Sequence, residues 1–365
     1  MTVATSVPAA NAAKSAKRSG SRTGLALLAA GLIACACSQS ATSTKGTIAP
    51  HASTPANATA ALHARPSPGC TSSTRSEVTL ARRTVTVDGT QRWFLISTPP
   101  GASATRPTPV VLDFHGLAEG AEIEAETTQF SPLGQKDGFI SVFPEGTGNP
   151  VSWNTSADTR TNHDLAFVSD MLDQIEATEC VDETRIYATG LSDGAFMTST
   201  LACAMSNRIA AFAPVSGVQL AIPCAAKRRV PILAFHGTAD PILYFNGGVG
   251  VGVLKHALTG KGAAPSISVP AAKLDGPGYP ATVAAWAKRD GCGSVPVDTK
   301  VTPHVIQRVY RCPPGTAVEF YIVLGGGHAW PGSEFSEKIA AITGPTTFEI
   351  DASEIIWAFF QRFHL

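Results

Sequence analysis

The pentapeptide Gly190-Leu191-Ser192-Asp193-Gly194 constrains this chain more than any other stretch. Before it, Arg185-Ile186-Tyr187-Ala188-Thr189 is a short β-branched and aromatic run that reads as a strand. After it, residues 195–205 read as a helix. A G-x-S-x-G pattern at a strand–turn–helix junction is the context of a nucleophile elbow, where a serine sits on a sharp, strained turn. Glycines flank such a serine because strand and helix pass too closely there for a Cβ.

A serine hydroxyl is a weak nucleophile at neutral pH and needs a base, itself oriented by a carboxylate. For an elbow of this kind the acid and then the histidine follow in chain order, each just after a strand. Asp240, in His236-Gly237-Thr238-Ala239-Asp240-Pro241, follows the apolar run Ile232–Phe235 and is the candidate acid. His328, in Gly325-Gly326-Gly327-His328-Ala329-Trp330-Pro331-Gly332, follows Val318–Leu324 and is the candidate base. The other histidines fit less well: His51 and His63 lie in a low-complexity stretch, and His115 and His163 precede the serine. His256 and His304 sit in an excursion or before a strand, and His364 is next to last. An oxyanion hole would take one backbone N–H from Asp193 and one from Leu117, in the His115-Gly116-Leu117 turn after an earlier strand. His115 itself reads as a structural hydrogen-bonder. Trp153 and Trp330, on loops near these residues, are candidate substrate-binding walls.

The rest of the chain supports an α/β reading. Continuous apolar strands are predicted at 109–114, 139–144, 211–217 and 230–237. Helices are predicted at 122–136, at 164–178 with i, i+3, i+4, i+7 apolar spacing, at 280–289 and at 352–363. Antiparallel strands are expected at 77–80, 83–87 and 93–97, with Asp88-Gly89 as a turn, and further strands at 305–310 and 318–324. Alternating strands and helices predict an α/β domain with a mainly parallel central sheet flanked by helices. Residues 246–280, rich in Gly, Pro and Ala, read as an excursion that could be a lid or binding loop. No phosphate-loop pattern or internal repeat is present, and formal net charge is zero, so neither a nucleotide cofactor nor a nucleic-acid partner is expected.

The first 34 residues differ from the rest. They hold Lys14, Lys17, Arg18 and Arg22, no acid, and then an apolar run of 11 residues at 24–34. That run is too short to span a bilayer and has the layout of a secretory signal. Leu32-Ile33-Ala34-Cys35 resembles a bacterial lipobox, which makes Cys35 the candidate lipidation site. Residues 35–69, rich in Ser, Thr, Ala and Pro, read as a flexible tether, leaving 70–365 as the catalytic domain. Besides Cys35 and Cys37, six cysteines remain, an even number that suits disulfides in an exported protein. Cys292–Cys312 is favoured because the pair brackets a short polar segment. Cys203–Cys224 is a local guess, and Cys70–Cys180 is what remains. The spacing is not that of a metal site.

The blocks Gly-Leu-Ser192-Asp-Gly, Phe114-His115-Gly116, His236-Gly237-Thr238-Ala239-Asp240 and Gly-His328-Ala-Trp-Pro-Gly together resemble the esterase/poly(3-hydroxybutyrate) depolymerase family, which includes feruloyl and acetylxylan esterases. The resemblance runs from about Cys70 to the end. It implies an α/β-hydrolase fold, a Ser192/Asp240/His328 triad, no cofactor, and hydrolysis of a small or polymeric carboxylic ester outside the cytoplasm. Several members carry Cys after His-Gly and Asn after the serine, where this chain has Leu117 and Asp193. A serine peptidase and a catalytically silent surface-binding lipoprotein are the alternatives.

Overall fold

The buried apolar runs form the middle of a single sheet. Six strands, β4 (Ile140–Pro144), β3 (Thr108–Phe114), β5 (Val181–Leu191), β6 (Ala211–Val215), β7 (Ile232–Gly237) and β10 (Val318–Val323), lie parallel in that spatial order. Antiparallel strands extend both sides. β2 (Thr90–Ser97) and β1 (Ala81–Val87) follow β4, and β9 (Val305–Tyr310) and β8 (Val297–Thr302) follow β10. This is the α/β-hydrolase architecture. The computed structural model describes residues 64–71, 77–158, 160–260 and 268–365, all within one compact unit, Pro55–Leu365. The signal-like residues 1–34, Cys35, Cys37 and most of the low-complexity stretch lie outside the described residues.

The central strands are apolar on both faces because helices cover both. Along β3, Val110, Leu112 and Phe114 join one core layer and Val111 the other. The first layer contains α3 (His163–Thr178) and α4 (Asp193–Ala204); the second contains α1 (Ala121–Thr128), α2 (Phe130–Asp137) and the last helix, α9 (Ala352–Phe360). Asn162 caps α3 by accepting from the Asp164 and Leu165 amides, which fixes its start. Between these elements lie α5 (Val251–Thr259), α6 (Tyr279–Arg289), α7 (Glu334–Lys338) and α8 (Ala340–Thr343).

Several expectations change. The single helix expected at 122–136 is two, broken at Gln129, whose φ of 56° closes one helix and opens the next. Residues 77–80 are not a strand; Leu80 has φ 47°. β8 went unpredicted, since all but its last residue are exposed and no apolar alternation marks it. The end of the expected tether is docked: Pro66 bridges Asp182, and Ser67 N–H donates to Val181 O at 2.9 Å. Within 246–280, α5 buries only Val253, and residues 261–267 lie outside the described residues. The Asn246 side chain clamps the excursion's ends, donating to Lys273 O and Pro277 O and accepting from Lys273 N–H. All three expected disulfides are present, Cys70–Cys180, Cys203–Cys224 and Cys292–Cys312.

Candidate active site

Ser192, Asp240 and His328 follow β5, β7 and β10, so all three sit at the same C-terminal edge of the parallel strands. Ser192 has φ 58° and ψ −113°, outside the regions a serine prefers, and its N–H is held by Val215 O at 3.0 Å. It stands at the N-cap of α4, yet its hydroxyl does not cap that helix. The glycine requirement is steric. A Cβ on Gly194 would lie 1.8 Å from Phe114 O, and one on Gly190 would lie 2.5 Å from the same atom. Strand β3 therefore touches the elbow's backbone directly.

Asp240 and His328 are joined, with Nδ1 of His328 2.8 Å from Oδ2 of Asp240. Both are buried. Oδ1 of Asp240 accepts from the Ile242 and Leu243 amides at 2.8 and 2.7 Å. Burial alone would raise the Asp240 carboxyl, but the field of His328 and the hydrogen bonds of His236 and His328 outweigh it and hold the group far below its usual range. Burial likewise opposes charge on His328, and Asp240 overrides it, raising the imidazole above its ordinary value. Among the described residues Ser192 Oγ makes no hydrogen bond to His328; such contacts commonly tighten only with substrate in place.

The loop after β3 supplies the other side of the site. The Leu117 and Asp193 amides donate to no protein acceptor among the described residues. His115 is buried; its Nε2 accepts from Gly146 N–H at 2.9 Å and its Nδ1 lies 2.7 Å from Gly116 O. Burial lowers its pKa to about 4, so it is a neutral strut of the loop. The Asp193 side chain accepts from Trp153 N–H at 2.8 Å, and Trp153 Nε1 donates to His115 O at 2.9 Å. Asp193 thus ties the elbow to the neighbouring loop. Its carboxyl is raised by burial, against the Trp153 hydrogen bond.

The two tryptophans differ from expectation. Trp153 is 6% exposed and packs edge-on against Phe114 at 5.2 Å. Trp330 is 1% exposed in the core layer of α9, its Nε1 donating to Ser353 Oγ at 3.0 Å. Both support the loops from beneath and neither forms an open wall. Cys35 lies outside the described residues.

A model of the family described as esterase PHB depolymerase matches residues 93–260, the stretch that contains Ser192, the loop after β3 and Asp240. That stretch of the chain is similar to this family. It is 29% identical over 247 residues to feruloyl esterase B of Piromyces equi, covering 65% of this chain and 42% of that protein. It is also 29% identical over 244 residues to poly(3-hydroxyalkanoate) depolymerase C of Paucimonas lemoignei, covering 64% and 57%. The matches span less than two thirds of either relative's length. An acetyl xylan esterase structure from Aspergillus awamori superposes with a TM-score of 0.49 at 16% identity, covering 68% of this chain and 94% of that one.

Two groups beside the candidate site went unmarked in the sequence. His236 Nε2 lies 2.8 Å from Leu243 O and 3.2 Å from Asp240 Oδ2, and its ring stacks on Tyr279 at 3.8 Å. It gives Asp240 a second imidazole neighbour. Its place in the His236-Gly-Thr-Ala-Asp240 block, four residues before the acid, was the available signal. Glu119 folds back over the loop after β3, and its Oε2 accepts from Gly116 N–H at 2.9 Å. A Cβ on Gly116 would lie 2.5 Å from that oxygen, so the glycine makes room for the carboxylate. Burial raises Glu119, opposed by Gly116 and by the field of His328, and Glu119 in turn helps raise His328. No sequence spacing reveals this, because the contact depends on the turn's conformation.

Proposed function

We propose that the protein is a serine hydrolase of carboxylic esters acting outside the cytoplasm. The observation that carries this reading is the buried Asp240–His328 pair, on the edge that also holds a strained Ser192 with an uncommitted hydroxyl. Ser192 Oγ attacks the ester carbonyl while His328 Nε2 takes its proton, and Asp240 steadies the resulting imidazolium through Nδ1. The Leu117 and Asp193 amides receive the charge that develops on the carbonyl oxygen. Collapse of the tetrahedral intermediate breaks the C–O bond, and His328 passes its proton to the departing alcohol. Water, deprotonated by His328, then attacks the acyl-enzyme, and the acid leaves as Ser192 regains its proton.

The named relatives act on feruloyl esters and on poly(3-hydroxyalkanoate), so a feruloyl or acetyl ester and a hydroxyalkanoate polymer or oligomer are the proposed substrates. Three disulfides fit an oxidising compartment. Export through residues 1–34 and lipidation at Cys35, with the following segment as a spacer, complete the reading.

Ser192→Ala is expected to abolish hydrolysis of p-nitrophenyl acetate and butyrate and labelling by a fluorophosphonate probe, with the melting temperature retained. Near wild-type turnover by this variant would reject the assignment. Hydroxybutyrate oligomers, feruloyl sugars and acetylated xylan, compared by kcat/KM, would select the substrate.

A further inference from the structure

The edge of the sheet opposite Ser192 has a different character. Lys227, Arg228 and Arg229 lie shortly before β7, and with Arg289 they border an open depression of about 720 Å³. Asp290 is the one acidic residue among those lining it. Arg228 spends its donors on main-chain carbonyls, those of Ser206, Ile209, Ala210 and Arg229, so its charge meets no carboxylate at contact distance. Lys227 and Arg229 are exposed, and their side chains engage no partner among the described residues. The same holds for Arg106, just before β3, and Arg311, just after β9. Between β5 and β7 the carboxylates on this edge are matched: Asp182 with Arg185, Glu183 with Arg65, and Asp290 with Arg289. A row of unmatched cations therefore crosses the edge from β3 to β9. The catalytic edge, by contrast, carries the carboxylates of Glu119, Asp193 and Asp240.

The chain also enters the domain on this side. Arg65 to Cys70 dock beside the start of β5, where Ser67 N–H bonds Val181 O and Cys70 is joined to Cys180. The six residues of β7 separate the two edges by about 20 Å.

We propose that this N-terminal edge docks on the phosphate-bearing headgroups of an anionic membrane, leaving the catalytic edge turned towards the medium. Positive charge unmatched within the protein is what such a surface attracts, and it acts within a Debye length. The direction of the catalytic edge rests on the lipid anchor proposed above; the docking itself does not.

The test is sedimentation of the full chain with phosphatidylcholine vesicles, with and without phosphatidylglycerol, at low ionic strength. Wild type is compared with Lys227→Gln/Arg229→Gln, which shares every other membrane-binding feature. Each basic charge near an anionic surface contributes about fivefold, so the double variant should bind anionic vesicles roughly 25-fold more weakly. On neutral vesicles the two proteins should partition alike, and the difference should shrink with added salt. Ester hydrolysis and melting temperature should be unchanged, and an inactive protein would leave the vesicle comparison fully readable. Equal partition of wild type and variant on anionic vesicles would overturn the proposal, as would a difference that persists on neutral ones. Release of wild type by inorganic phosphate at constant ionic strength would assign the cations to a discrete phosphate site instead, and would also overturn it.

Discussion

Asp240 and Asp113 are both fully buried near the C-terminal edge of one sheet, yet they titrate in opposite directions. Asp240 receives two backbone amides and contacts two imidazoles. Asp113, on β3, has only the Thr128 hydroxyl on Oδ2 at 2.5 Å, and its Oδ1 has no protein partner. Facing it is Glu124 of α1, also fully buried, with neither oxygen bonded. Burial pushes Asp113 up to about 7, and burial and the neighbouring carboxyl push Glu124 well above its usual value. The physical reading is one proton held between two neighbouring buried carboxyls, so that they do not both ionise. Burial therefore does not decide whether an acid is charged here; the number of donors aimed at it does.

The largest test of this contrast is Asp240→Asn. It keeps the shape but removes the charge that holds His328 in its working tautomer. It is expected to lower kcat roughly 10³–10⁴-fold at neutral pH with little change in KM. A loss below tenfold would mean that another group orients the imidazole.

Glu119 comes next. Glu119→Ala removes the acceptor for Gly116 N–H and should lower kcat about tenfold through a misplaced Leu117 amide. Glu119→Gln keeps an acceptor and removes only charge. Since Glu119 helps raise His328, its loss lowers the imidazole pKa, and the acidic limb of the kcat/KM profile should move to lower pH. An unmoved limb would show that Asp240 alone sets the base.

The smallest effect concerns the paired carboxyls. Asp113 has a folded pKa above its unfolded value, so its stabilising contribution is complete below about 3.8 and is lost as pH rises through about 7. Asp113→Asn, neutral at every pH, should match wild type in Tm at pH 4. At pH 9 it should melt higher by roughly 3 °C, the shift that about 1 kcal/mol produces in a domain of this class. Equal melting at both pH values would mean that the pair never carries charge.

The same contrast explains what the sequence reveals. Ser192, Asp240 and His328 are legible because each lies after an apolar strand, and parallel strands gather such positions at one edge. Trp153 and Trp330 misled because nearness to a site in sequence says nothing about which way a ring points, and both point into the core. The break at Gln129 and the fold of Glu119 over Gly116 are set by backbone conformation in residues with no strong preference for it. Asp113 sits in Val110-Val111-Leu112-Asp113-Phe114, where the apolar run hides the one charged residue, and its partner Glu124 is on another element.

The Cys70–Cys180 bond also determines how the domain carries a load. Cys180 leads into β5, which is hydrogen-bonded to β3 on one side and β6 on the other. A pull on the N-terminal segment, from flow or from a surface to which it is fixed, enters the middle of the sheet. It must then shear two ladders at once. A pull on an edge strand such as β1 or β8 would instead peel the sheet one bond at a time. The strand that leads into Ser192 is thus the one placed to bear tension without unravelling.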